Sequence, residues 1–186
     1  MLEFVSDPLL FGAGSALLIG FSRKPLCRPG SHGFYRFFAW EGILGLIVLN
    51  RHVWGDDPFS PHQLLSWILM LASIWLALQG VITLSRHGRS GAQRPDQGMY
   101  EWEKTGELVT QGIFSYIRHP MYASLLALAW GAFCQDPTSL GAAIAIITSG
   151  FLWMTARTDE QECLAYFGQP YADYMQRTRR FLPYLF

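Results

Sequence analysis

The sequence predicts an all-α integral membrane protein: a helical bundle of about five transmembrane helices with a cytoplasmic C-terminal region. Three observations carry that prediction. Hydrophobic residues make up 51 % of the 186-residue chain and charged residues 15 %, where an ordinary soluble domain carries about 25 % charge. Apolar runs recur at lengths near the ~20 residues that a helix needs to cross a bilayer. Threaded as five crossings, those runs put every Lys and Arg on one side except Arg51, the asymmetry of the positive-inside rule.

The first run, Phe4–Phe21, stops before Ser22-Arg23-Lys24-Pro25. The second, Phe34–Leu49, is interrupted by Arg36 and Glu41; the third, Leu64–Leu84, is the cleanest. The fourth, Met121–Cys134, is short, and Asp136-Pro137 separates it from the fifth, Leu140–Ala156, so the last two should form a tight helical hairpin. The chain then reads as a single domain, 1–186: spans one to three in 1–85, a polar loop in 86–120, the hairpin in 121–156 and a C-terminal segment in 157–186. The basic split places the N-terminus outside and the C-terminus in the cytoplasm, in the cell (inner) membrane. Glu3 and Asp7 stand where a signal peptide needs positive charge, so the apolar start is expected to be retained.

Composition also excludes functions. Net charge is zero, which speaks against nucleic acid as a partner. Cys27, Cys134 and Cys163 form no CxxC and are odd in number, and the five histidines contain no HxxxH pair, so neither a disulfide framework nor a metal site is expected. Gly12, Ala16 and Gly20 in the first span, and Gly141, Ala145 and Ser149 in the fifth, repeat at four-residue spacing. Such small residues let helices approach closely, and packing within the bundle is the expectation. Glu41 is an ionisable group inside a span, so it either takes a structural hydrogen bond or faces a substrate.

Two polar regions can hold chemistry, Ser85–Arg118 and Arg157–Phe186. The first is long enough to be functional or simply a solvated connector; its end, Glu107–Gly112, could lie extended against a ligand. At Arg118-His119-Pro120-Met121-Tyr122 the proline favours the first helical turn, so the fourth helix should start at Pro120. Its N-terminal dipole end, with Arg118 and His119 beside it, makes an anion site; a basic interfacial anchor is the alternative. In Arg157-Thr158-Asp159-Glu160, Arg157 and Glu160 are i,i+3 neighbours that can pair. The aromatics Tyr166, Phe167, Tyr171 and Tyr174 form a face that either closes a pocket or lies on anionic lipid. The hairpin brings both regions to one level.

From about Gly106 to Pro183 the chain resembles the isoprenylcysteine carboxyl methyltransferase family and its phospholipid methyltransferase relatives. The carrying segments are LVTQGIFSYIRHPMYASLL and DEQECLAYFGQPYADYMQRTRRFLP. They follow the pattern LVT-x-G, RHP-x-Y, an acidic pair, FG-x-x-Y-x-x-Y and a terminal proline. The resemblance implies a membrane-embedded methyltransferase with S-adenosyl-L-methionine as cofactor. It maps Leu108, Val109, His119, Pro120, Met121 and Tyr122 onto cofactor-contacting positions and Asp159-Glu160 onto the acidic pair. Phe114 stands where the family often has tyrosine, Asp159 replaces a common glutamate, and the family arginine aligns with Thr155, leaving Arg157 as this chain's candidate.

These assignments give an expected mechanism. Asp159 or Glu160 suits the cofactor's ammonium or ribose hydroxyls. Arg157 and Glu160 are the expected catalytic residues, Arg157 holding the acceptor's polar end. Orientation supplies much of the rate, and no metal is needed. A carboxylate acceptor, such as a prenylated thiol acid, needs no base, whereas an amine acceptor must shed a proton, which Glu160 or Glu162 could take. The expected partner is a membrane lipid or a lipidated small molecule. Two alternatives stay open. One is a sterol-reductase-like enzyme using NADPH, with Arg177, Arg179 and Arg180 for its phosphate; the other is a non-catalytic lipid-binding protein.

Overall fold

The computed structural model describes residues 2–88 and 106–183, with side chains from residue 7 onward. The expectations for 89–105, most of the polar loop, lie outside the described residues. Among the described residues six α-helices follow one another: α1 Leu2–Leu26, α2 His32–Leu49, α3 Pro61–His87, α4 Pro120–Phe133, α5 Ser139–Phe167 and α6 Gln169–Arg177. Short 3-10 turns occupy Arg51–Val53 and Gly112–Ser115. There is no β-strand among the described residues, only an isolated parallel bridge between Ile117 and Arg179.

Helix α3 is inverted relative to a helix of a soluble protein. Its buried residues are Gln63, Ser66, Met70, Ser73, Gly80 and Thr83, while Leu64, Leu65, Ile68, Leu71, Ile74, Trp75, Leu78 and Val81 face outward. In water that arrangement would forfeit the hydrophobic effect. In a bilayer the lipid tails solvate the apolar face, and small and polar residues hold the helices together. Pro61–His87 and Ser139–Phe167 are both long and apolar enough to cross a membrane; Asp7–Phe21 and Pro120–Phe133 are shorter apolar stretches.

Polar contacts knit the end of the bundle away from the C-terminal segment. The Ser66 hydroxyl donates to the Gly131 carbonyl at 2.6 Å, the Gln63 amide to the Gln135 carbonyl at 3.0 Å, and the Asn50 amide to the Ala132 carbonyl at 2.7 Å. Arg51 pairs with Asp7 there, joining the start of α1 to the turn after α2. Between the ends, Ile43, Leu46, Ala129, Ala132 and Ala145 form the core where α2, α4 and α5 meet. The α2–α5 crossing is tightest at Gly42, where a Cβ would lie 2.1 Å from the Thr148 hydroxyl.

The α4–α5 hairpin forms as the Asp136-Pro137 signal predicts, and α4 begins at Pro120. The small-residue reading holds for α5, where Gly141 and Ala145 are buried, and not for α1. Gly12 and Gly20 meet no atom within 4 Å of a built Cβ, whereas a Cβ at Gly14 would lie 2.7 Å from Leu44. The rotation of α1 follows from Glu41, which accepts a 2.6 Å hydrogen bond from Ser15. A carboxyl inside the bundle needs a donor, so the Ser15 edge of α1 turns inward and the Gly12 stripe turns out. Glu41 is thus a structural tie and not a group of the pocket described below.

Candidate functional site

The site is assembled by the start of α4, the continuation of α5 beyond Ala156, and α6. His119 is the N-cap residue of α4, and the segment before it is fastened by backbone hydrogen bonds. The amide of Arg118 donates to the Arg179 carbonyl at 2.7 Å, that of His119 to the Arg180 carbonyl at 3.1 Å, and that of Arg179 to the Tyr116 carbonyl at 3.2 Å. Gly168, at φ 64°, breaks α5 from α6, a conformation that favours glycine. The break folds α6 back so that Tyr171 and Tyr174 are buried. Of the two readings of this aromatic face, the described structure has these two tyrosines closing a pocket.

The pocket spans about 720 Å³ of non-protein space, its open mouth included. Leu84, Leu108, Val109, Phe114 and Phe167 give it apolar walls, and Pro120 and Met121 bring the first turn of α4 to its edge. Asp159 is the polar hub. Its Oδ2 accepts a 3.1 Å hydrogen bond from the Tyr122 phenol and lies 3.6 Å from His119 Nδ1; its Oδ1 accepts from the Cys163 thiol at 3.6 Å. His119 and Tyr122 stack at 5.3 Å between ring centroids. Tyr174 donates to the Phe114 carbonyl at 2.6 Å. Burial pushes the Tyr171 and Tyr174 phenols well above their usual range, so both stay protonated.

Behind this wall lies a buried ion cluster. Glu160, 3 % exposed, accepts from Arg118 Nε at 2.9 Å and from Arg180 at 3.1 and 2.5 Å, and its Oε1 lies 3.4 Å from His119 Nε2. Burial alone would raise the pKa of this carboxyl. His119 and the two guanidiniums outweigh burial and hold it well below the ordinary carboxylate range. Arg118 also donates to the Met175 and Thr178 carbonyls. Its donors are therefore committed to the protein, although its side chain borders the pocket.

The structure thus gathers Leu108, Val109, His119, Pro120, Met121, Tyr122 and Asp159 around one cavity. Glu160 sits behind it. Arg157 is exposed and lies over the Trp153 ring at 5.3 Å, beside Arg180 at 5.7 Å from the same ring. The expected pairing of Arg157 with Glu160 is replaced by Arg118 and Arg180. Two cations reach Glu160 from other segments, whereas Arg157 points to the outside of α5. Cys163, four residues after Asp159 and so on the same helical face, was legible as a lining residue from spacing alone. His32 was not. It meets Glu162, with Nδ1 2.6 Å from Oε2, and the two are distant in the chain.

Apolar walls, a carboxylate hub and a helix N-terminus in one cavity fit S-adenosylmethionine, which combines an adenine ring, ribose hydroxyls, an ammonium and a carboxylate. The model of the phospholipid methyltransferase family matches residues 62–173. No curated protein and no solved structure matches the chain. The matched region runs from the start of α3 into α6 and includes His119, Tyr122, Asp159 and the rest of the pocket wall except Tyr174. The protein belongs to the phospholipid methyltransferase family, and its chemistry is that of a membrane methyltransferase.

Proposed function

We propose that the protein transfers a methyl group from S-adenosylmethionine to a lipophilic acceptor at the cytoplasmic membrane face, and that the reacting group is the amine of a phospholipid headgroup. The observation that carries this reading is the pocket at the start of α4. There the positive end of a helix dipole and the Asp159 carboxylate share one apolar cavity. The helix end and His119 suit the cofactor's carboxylate. Asp159 suits its ammonium or ribose hydroxyls, and Leu108, Val109 and Met121 suit its base. When bound, S-adenosylmethionine supplies an electrophilic methyl group. The chain's own work is to orient, to exclude water with Phe167, Tyr171 and Tyr174, and to hold the polar ends.

Arg157 is the proposed acceptor-holding residue, since its exposed guanidinium lies over Trp153 where α5 leaves its apolar segment. Glu160 is proposed as a positioning residue that sets His119 and Arg118. In this reading α1 to α5 all cross the membrane, with the N-terminus outside and the pocket end in the cytoplasm. Calorimetry with S-adenosylhomocysteine and with NADPH tests the cofactor. Binding of NADPH alone would move the protein to the reductase reading, and binding of neither to a non-catalytic one. Methyl transfer into phosphatidylethanolamine vesicles, compared with a prenylated cysteine, tests the acceptor.

A further inference from the structure

We infer that His32 and Glu162 form a proton relay from the pocket wall at Asp159 to the cytosol, serving an acceptor that must lose a proton before it can be methylated. The inference rests on the amine-acceptor reading above.

His32 opens α2, where the Ser31 side chain accepts from the Phe34 amide and fixes the helix start. The imidazole is 1 % exposed. One carboxylate holds it twice: Nδ1 lies 2.6 Å from Glu162 Oε2, and the His32 amide donates to Glu162 Oε1 at 3.3 Å. That arrangement places the Nδ1 proton toward Glu162 and leaves the Nε2 lone pair available. Nε2 is buried and has no hydrogen-bond partner among the described residues. A buried nitrogen left unpaired costs stability and asks for an explanation.

Its surroundings supply one. Candidate proton-carrying atoms of His32, Asp159 and Glu162 all lie within 4.8 Å of one another, a span that one bridging water covers. Asp159 borders the pocket, His32 is sealed, and Glu162 is 24 % exposed. The three therefore link the cavity wall to solvent. Three other groups at the site are unsuited to the task. Glu160 is locked between arginines, and burial keeps Tyr171 and Tyr174 protonated.

The proton balance closes. An N–H bond of the acceptor ammonium breaks, its electron pair stays on nitrogen as the nucleophilic lone pair, and the proton passes to Asp159. Asp159 returns to carboxylate as the proton moves to His32 Nε2. His32 gives its Nδ1 proton to Glu162, which releases it to water. A ring proton shift then restores the starting tautomer. The charges facing His32 are Asp159 and Glu162 on α5 and Arg36 on its own helix. Burial lowers its pKa, but the two carboxylates outweigh burial and Arg36 and raise it above the ordinary 6.5, toward the pH at which a relay is most effective.

The full chain in vesicles of phosphatidylethanolamine and phosphatidylcholine tests this with two readouts. In ¹⁵N-histidine NMR, the signal lost in His32→Gln should titrate with a midpoint above the ordinary 6.5. A ring that keeps one charge state from acid to alkaline pH overturns the relay. In methyl transfer from labelled S-adenosylmethionine, His32→Gln and Glu162→Gln should each lower the rate at neutral pH by on the order of 10²-fold, recovering as pH rises and the amine sheds its proton unaided. S-adenosylhomocysteine affinity should fall far less than the rate does, since neither residue borders the pocket. Either variant keeping the wild-type pH profile overturns the proposal. So does a stoichiometric divalent metal found at these three residues by native mass spectrometry. Wild-type protein that binds S-adenosylhomocysteine but leaves the phosphatidylethanolamine unmethylated removes the amine acceptor and the relay with it, with the methyltransferase reading intact. Failure to bind S-adenosylhomocysteine removes both.

Discussion

The phenol of Tyr122 donates to Asp159 across 3.1 Å, joining the first turn of α4 to α5 at the pocket wall. Asp159 also faces His119 at 3.6 Å, so this carboxylate organises both ring-bearing side chains of the RHPMY segment, His119 and Tyr122. Asp159→Ala should weaken S-adenosylhomocysteine binding by about tenfold or more, the scale of one charge-assisted hydrogen bond. Tyr122→Phe, which removes only the donor, should cost less, about threefold to tenfold. Calorimetry on both variants checks the order; equal affinity for wild type and Asp159→Ala would take the cofactor away from this wall.

Arg157 and Glu160 separate by kinetics. Arg157 touches neither the pocket wall nor Glu160 and lies over Trp153. Arg157→Ala should therefore cut turnover on a lipid acceptor and leave S-adenosylhomocysteine affinity nearly intact. Normal turnover would reassign the acceptor to Arg180, which shares the Trp153 ring.

Glu160→Gln should loosen the C-terminal segment, because it leaves Arg118 and Arg180 facing a neutral group. Removing one member of a buried ion cluster costs roughly 3–5 kcal/mol, and Arg118 is 8 % exposed, so the upper part of that range applies to it rather than to Arg180. The pH dependence has a definite sign. The folded pKa of Glu160 lies below the ordinary 4.5, so its stabilisation is fully present above that value and is lost as pH falls through the lowered one. Thermal midpoints of wild type and Glu160→Gln, followed from neutral pH into acid, should converge only below the usual glutamate range.

Gly42→Ala should destabilise the bundle by about 1–3 kcal/mol, the cost of overpacking, since its Cβ would fall 2.1 Å from the Thr148 hydroxyl. Adding Thr148→Ala should restore much of the loss. Thermal unfolding in detergent for the two single variants and the double variant gives the coupling. Independent, additive losses would mean that the helices do not cross at this point.

Topology is testable without any ligand. Reporter fusions after Arg51 and after Phe186 should give opposite compartment signals, because the proposed five-span reading puts all other basic residues with the C-terminus. Matching signals would end that reading.

The sequence by itself determined the helical class, the α4–α5 hairpin and the start of α4 at Pro120, because these rest on local signals: apolar run length, a Pro-containing turn and a proline at the first helical position. It also determined most of the pocket wall. Leu108, Val109, His119, Tyr122 and Asp159 lie in two short segments whose spacing carries the family pattern. The tertiary structure alone decided who pairs with whom. Glu160 has Arg157 one helical turn away in the chain, yet it is claimed by Arg118 and Arg180. A buried carboxylate is stabilised by cations that can be sealed around it, and Arg157 lies on the outer side of α5. The same holds for α1, whose Gly12 stripe lost the inward position to Ser15 once Glu41 needed a donor. His32 is the clearest case. Nothing beside it in the chain marks it, and its meeting with Glu162 exists only because α2 packs along α5. Sequence spacing encodes neighbours on one element, whereas contacts between elements depend on the rotation each helix adopts to satisfy its costliest polar group.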